Sequence, residues 1–168
     1  RAPARDGRQI PVSVAWRKTT RLDGTAPLLL YGYGSYGLSE DPEFHSDWVS
    51  LLDRGFVVAI AHVRGGQELG REWYEDGRQL RKKNTFTDFI DVTRHLVREG
   101  YGAKDKVFAE GGSAGEAAPP TREARGAPLP ARVVSIDAAS TKYWSGRGGV
   151  VLVNDPVDTV LEVARAYD

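Results

Sequence analysis

Apolar and polar positions alternate along residues 10–16, behind the turn-forming pair Asp6-Gly7, and that period of two predicts a half-buried edge strand. A turn over residues 22–27 leads into Leu28-Leu-Leu-Tyr31, a fully apolar run of the kind found in a central strand covered on both faces. The run opens into a glycine-rich loop, residues 32–37. Asp41-Pro42 then reads as an N-cap with proline in the first turn. Phe44, Trp48, Leu51 and Leu52 share one face of the predicted helix, and Gly55 ends it. Residues 56–61 form a second buried strand running into His62-Val-Arg64-Gly-Gly66. A polar, charge-rich stretch follows, with Trp73 and Tyr74 as its anchors. A second helix begins at Thr85, with Phe86, Phe89, Ile90, Leu96 and Val97 on its stripe and Gly100 as its cap. Residues 107–109 are a third buried strand.

Strands alternating with helices of this length predict a mostly parallel sheet with helices on its faces. Such sheets bind ligands at the carboxyl ends of their strands. The loops after Tyr31, Ala61 and Ala109 all lie at such ends.

The pattern changes after Gly115. Glu116-Ala-Ala-Pro-Pro120 ends any helix almost as it starts, and residues up to Arg132 carry no hydrophobic period. Strands over 133–136 and 150–153 and a short helix over 156–167 are the only regular elements the tail suggests. The chain therefore divides into residues 1–115 and a divergent tail, 116–168, which has the look of an irregular or out-of-frame segment.

The 168 residues amount to one domain's worth, with a formal net charge of zero. That balance gives no electrostatic footprint for nucleic acid or an anionic membrane. There is no cysteine, so no disulfide framework and no cysteine metal site, which suits the cytoplasm. No apolar run is long enough to span a bilayer, and the first residues carry no signal-peptide pattern. With no methionine at all, the chain reads as a piece of a longer protein.

The candidate chemistry lies at Gly111-Gly-Ser113-Ala114-Gly115. It is a G-x-S-x-G pattern directly after a strand, where a sharp turn lifts the serine hydroxyl above the sheet. Ser113 is the candidate nucleophile. From about Ile10 to Gly115 the chain resembles the catalytic domain of the prolyl oligopeptidase family, serine peptidases of the α/β-hydrolase fold. The motifs that carry the resemblance are Leu30-Tyr-Gly-Tyr33-Gly34, Val63-Arg64-Gly-Gly66, Asn84-Thr-Phe-Thr-Asp-Phe89 and the serine motif, in that order. Ser35-Tyr-Gly37, His62 and Ala114 look most like the oligopeptidase B branch, which cleaves short peptides after Lys or Arg.

The resemblance implies an α/β-hydrolase sheet, incomplete after the serine turn, with no metal and no cofactor. It implies that Tyr33 donates its phenol to the oxyanion, with the backbone N–H of Ala114 as second donor. In that fold the strand ending at Tyr31 neighbours the strand ending at Ala109, about 5 Å away. The other reading of Tyr33 is an aromatic packing the glycine loop.

The base is harder to find. In α/β-hydrolases the acid and the histidine follow the serine. Here His45, His62 and His95 all precede Ser113. His62 is nearest, but its strand lies one beyond the Tyr31 strand, which favours local packing and support of the loop at Arg64. Asp155 of Asn154-Asp-Pro156 reads as a turn residue. Without a base the chain is expected to be inactive or nearly so. Arg64 either contacts substrate or clamps loops through carbonyls. A non-catalytic binding fragment is the second reading. Gly32, Gly34 and Gly37 also match the dinucleotide fingerprint formally, but residues 38–42 delay the helix that an NADP pyrophosphate needs.

Overall fold

The structure, a computed structural model, describes residues 1–111. The elements are β1 (Ala2–Pro3), β2 (Gln9–Ile10), β3 (Val12–Ala15), β4 (Leu28–Tyr31), α1 (Ser46–Asp53), β5 (Val57–Ala61), α2 (Arg71–Glu75), a 3-10 turn (Gln79–Arg81), α3 (Lys83–Arg98) and β6 (Val107–Glu110).

Four strands form one sheet in the order β3-β5-β4-β6. β4 pairs in parallel with β5 on one side and β6 on the other, with Tyr31 opposite Ile60 and Glu110. Only β3 runs antiparallel, at the edge. The edge strand foreseen over 10–16 is split at Pro11, which has no N–H for a ladder bond. Ile10 pairs instead with Ala2 across a small hairpin that turns at Asp6-Gly7. Neither hairpin strand is long enough to show a period, so the sequence hides it.

The pleat sorts the core into two layers. Leu28, Leu30, Val57, Ala59, Ala61 and Val107 point to one face and pack with Val92 and Leu96 of α3. Tyr31 belongs to the other face, with its ring 6.4 Å from Trp48 of α1. The hairpin is tied to α3 by Arg5, whose Nε and Nη2 donate to the two Asp91 oxygens at 3.0 and 2.9 Å.

One expectation is corrected. The helix after Pro42 starts only at Ser46, and Phe44 stands 84% exposed outside it. His45 occupies the N-cap in extended conformation and stacks on Trp48 at 4.0 Å, so the chain enters the helix one turn late. In the charge-rich segment Trp73 is the anchor the sequence suggests. It is buried and donates from Nε1 to His62 O at 3.1 Å, which fixes α2 under the end of β5. Among the described residues no helix is long and apolar enough to cross a membrane. The divergent tail and its suggested elements lie outside the described residues.

Candidate active site

Ser113 and Ala114 fall outside the described residues, as does Asp155. The structure does describe the platform beside them. Gly32 N donates to Glu110 O at 3.1 Å, joining the first residue after β4 to the last residue of β6. Tyr33, next in the chain, is half-buried. It therefore stands at the carboxyl end of the strand adjacent to the one that continues through Gly111 towards Ser113.

The loop that carries Tyr33 is tightly enclosed. A Cβ on Gly34 would lie 2.5 Å from both Thr85 Cγ2 and Val63 Cγ2, and φ there is +62°, so only glycine serves. A Cβ on Gly65 would meet Gly34 O at 2.1 Å. The loops after β4 and β5 thus touch backbone to backbone. Gly37 N completes the join by donating to Gly65 O at 3.0 Å.

Arg64 is the centre of this join and is 3% exposed. Its Nε and Nη2 donate to Asp88 Oδ2 and Oδ1 at 2.8 and 2.5 Å, and Nη1 donates to Asp6 Oδ2 at 2.5 Å. The hydrogen bond and charge of Asp88 hold the guanidinium charged, well above its ordinary range. Of the two roles considered for Arg64, the geometry is that of a clamp, made through carboxylates rather than carbonyls. A guanidinium so committed and so buried is not presented to a substrate. Asp88, wholly buried on α3, was missed from the sequence. Its signal in the sequence is that Thr85, Asp88, Val92 and Leu96 repeat at helical spacing, a face that mixes polar with apolar residues and so lies outside an apolar stripe.

His62 is also turned away from β6. Its Nε2 lies 2.9 Å from Ser13 Oγ on β3, at the opposite edge of the sheet. Its Nδ1 stands 3.6 Å from Glu68 Oε1. Local support is what this arrangement provides. His45 stacks on Trp48, and His95 lies against Arg98 and Glu99 on α3, with burial pulling its pKa down.

The basic run from Arg78 to Lys83 is partly turned inward. Lys82 is half-buried, and burial alone pushes its amino group down to about 8. At the end of β6, burial and then the charge of Asp47 push Glu110 up to about 7. Burial, followed by Glu40 and Glu110, pushes the Tyr31 phenol up to about 12. No group of metal-ligating side chains occurs among the described residues. The dinucleotide reading finds no helix where it needs one, because α1 begins at Ser46 and the glycine loop is already filled by Thr85 and Val63.

Comparison with known proteins agrees with this frame. Residues 42–117 match the model of the prolyl oligopeptidase family. Dipeptidyl aminopeptidase BI of Pseudoxanthomonas mexicana is 64% identical over 115 residues, which cover 68% of this chain and 16% of that protein. Protease 2 of Moraxella lacunata is 47% identical, again over 68% of the chain and 16% of the relative. Among solved structures, oligopeptidase B from Leishmania major superimposes with a TM-score of 0.65 at 48% identity, covering 68% of this chain and 16% of that one. The chain thus spans about one sixth of the length of these relatives. Its mostly parallel sheet with flanking helices is that of an α/β-hydrolase domain, and the chain belongs to the prolyl oligopeptidase family.

Proposed function

We propose that these residues are part of a serine oligopeptidase that hydrolyses short peptides through an acyl-enzyme. Ser113 attacks the scissile carbonyl; the Tyr33 phenol and the Ala114 N–H hold the oxyanion. A serine hydroxyl needs a base to take its proton, and none is identified here, so the 168-residue chain by itself is proposed to be inactive or nearly so. The observation that carries the reading is the parallel pairing of β4 with β6, Tyr31 opposite Glu110. It supports a phenol and a serine rising from neighbouring strand ends, about 5 Å apart. A cytoplasmic location belongs to the same proposal, on the cysteine-free composition.

Cleavage after Lys or Arg follows the likeness to oligopeptidase B. The relative that is 64% identical bears the name dipeptidyl aminopeptidase, which favours a second reading in which dipeptides leave from a free amino terminus. A fluorophosphonate probe tests the chemistry: labelling of Ser113 that vanishes in Ser113→Ala means an activated nucleophile. No labelling favours the binding reading or that of an inactive fragment. Paired fluorogenic substrates ending in Arg, one N-blocked and one a free dipeptide, separate the two specificities.

A further inference from the structure

Lys82 stands where the 3-10 turn meets α3, with φ and ψ of −57° and −27°. Its neighbours are absorbed in ion pairs, Arg78 with Glu75 and Arg81 with Asp76. Lys82 instead reaches inward. Its Nζ donates to Gly34 O at 2.7 Å and to Ser35 Oγ at 2.5 Å. Taking an amino group out of water without a counter-charge costs free energy. Both groups it touches belong to the two residues that follow Tyr33.

The same backbone is enclosed on its other sides by Thr85, Val63 and Gly65. Upstream, the Gly32 bond to Glu110 fixes the loop's first residue. Tyr33 thus lies between two anchored points, and Lys82 supplies the one made by a side chain from another element.

We infer that Lys82 is a positioning residue for Tyr33: by holding the Gly34 carbonyl and the Ser35 hydroxyl, it sets the direction in which the phenol leaves the loop. This rests on the peptidase reading, which gives that phenol an oxyanion to face. A displacement of about 1 Å in such a donor costs about 10²-fold in rate. Lys82 touches no reacting atom and acts through the backbone. As an ammonium or as an amine it has N–H donors enough for both contacts.

The test compares wild type, Lys82→Met and Lys82→Arg in the 168-residue chain. One readout is amide hydrogen exchange over residues 32–37; the other is fluorophosphonate inactivation at Ser113, resolved into kinact and KI. In Lys82→Met, exchange in the loop rises about tenfold while β4, β5 and α3 keep their protection. In the same variant kinact falls at least about tenfold with KI unchanged, and Lys82→Arg restores most of both. Should Lys82→Met fail to fold, Ser35→Ala removes one acceptor and gives a smaller change of the same kind. Loop exchange that stays at the wild-type rate overturns the inference. So does a rise spread evenly over the sheet, which means Lys82 only stabilises the fold. If the loop responds but wild-type Ser113 never reacts, as a chain without a base allows, the exchange data alone carry the loop-holding role of Lys82 and the oxyanion role of Tyr33 is not supported in this chain.

Discussion

Arg64 and Asp88 meet inside the molecule as a doubly bonded ion pair, and the backbone N–H of Arg64 donates a third bond to Asp88 Oδ2 at 3.1 Å. Burial pushes the Asp88 carboxyl upward, and these donors pull it back. The pair links the loop after β5 to α3, and Asp6 extends the link to the hairpin. Removing one partner strands a buried charge, which costs about 3–5 kcal/mol. Arg64→Met and Asp88→Ala should each lower the urea midpoint by that equivalent. Arg64→Lys should recover little, since an ammonium cannot reproduce the fork. A loss below about 1 kcal/mol, the scale of an exposed pair, would show that the clamp is not what holds these loops.

Gly34 offers a second test of the same join. An alanine there meets Thr85 and Val63 side chains on α3 and the β5 loop, and must hold φ at +62°. Overpacking and left-handed backbone together cost about 2–4 kcal/mol. Gly7→Ala has a similar φ of +86° but open space around it, so it should lose only about 1–2 kcal/mol. Equal losses from thermal unfolding of the two variants would mean that packing at Gly34 adds nothing.

The sheet was legible because β4, β5 and β6 are short apolar runs between turn signals, and the Gly34 loop because its motif sits at a strand end. The hairpin, α2 and the late start of α1 were not. Strands of two residues carry no period, α2 is anchored mainly by Trp73, and His45 takes the N-cap position of α1 while stacking on Trp48, a contact that no spacing rule encodes. Lys82 and Asp88 escaped for another reason. Charge in sequence suggests solvent, and only the folded contacts of Gly34 and Arg64 show why these two turn inward.

Glu110 should make stability depend on pH. Burial and Asp47 raise its folded pKa from 4.5 to about 7, so between those values the native state holds a proton that the unfolded chain has lost. Stability from this group is full below about pH 4.5 and falls as pH rises towards 7. Glu110→Gln, which stays neutral, should flatten that slope. With solvent screening of a partly exposed group, it should gain about 1 kcal/mol at pH 8. Denaturant midpoints from pH 4 to 8 read the difference, and parallel slopes in the two proteins would rule the assignment out.

The two tyrosines around the end of β4 separate catalysis from scaffold. Tyr31 sits on the α1 face between Trp48 and Glu40, and its phenol should stay protonated to about pH 12. Absorbance titration at alkaline pH should show one late-ionising tyrosine that Tyr31→Phe removes. That variant should leave reaction at Ser113 within about threefold of wild type, because the Tyr31 ring packs towards Trp48 of α1. Tyr33→Phe should behave oppositely. It removes one of two oxyanion donors, and inactivation by a fluorophosphonate should slow about 10²- to 10³-fold with KI and unfolding midpoint unchanged. If both phenylalanine variants slow the reaction alike, the loss reflects a disturbed β4 end, and Tyr33 is no oxyanion donor.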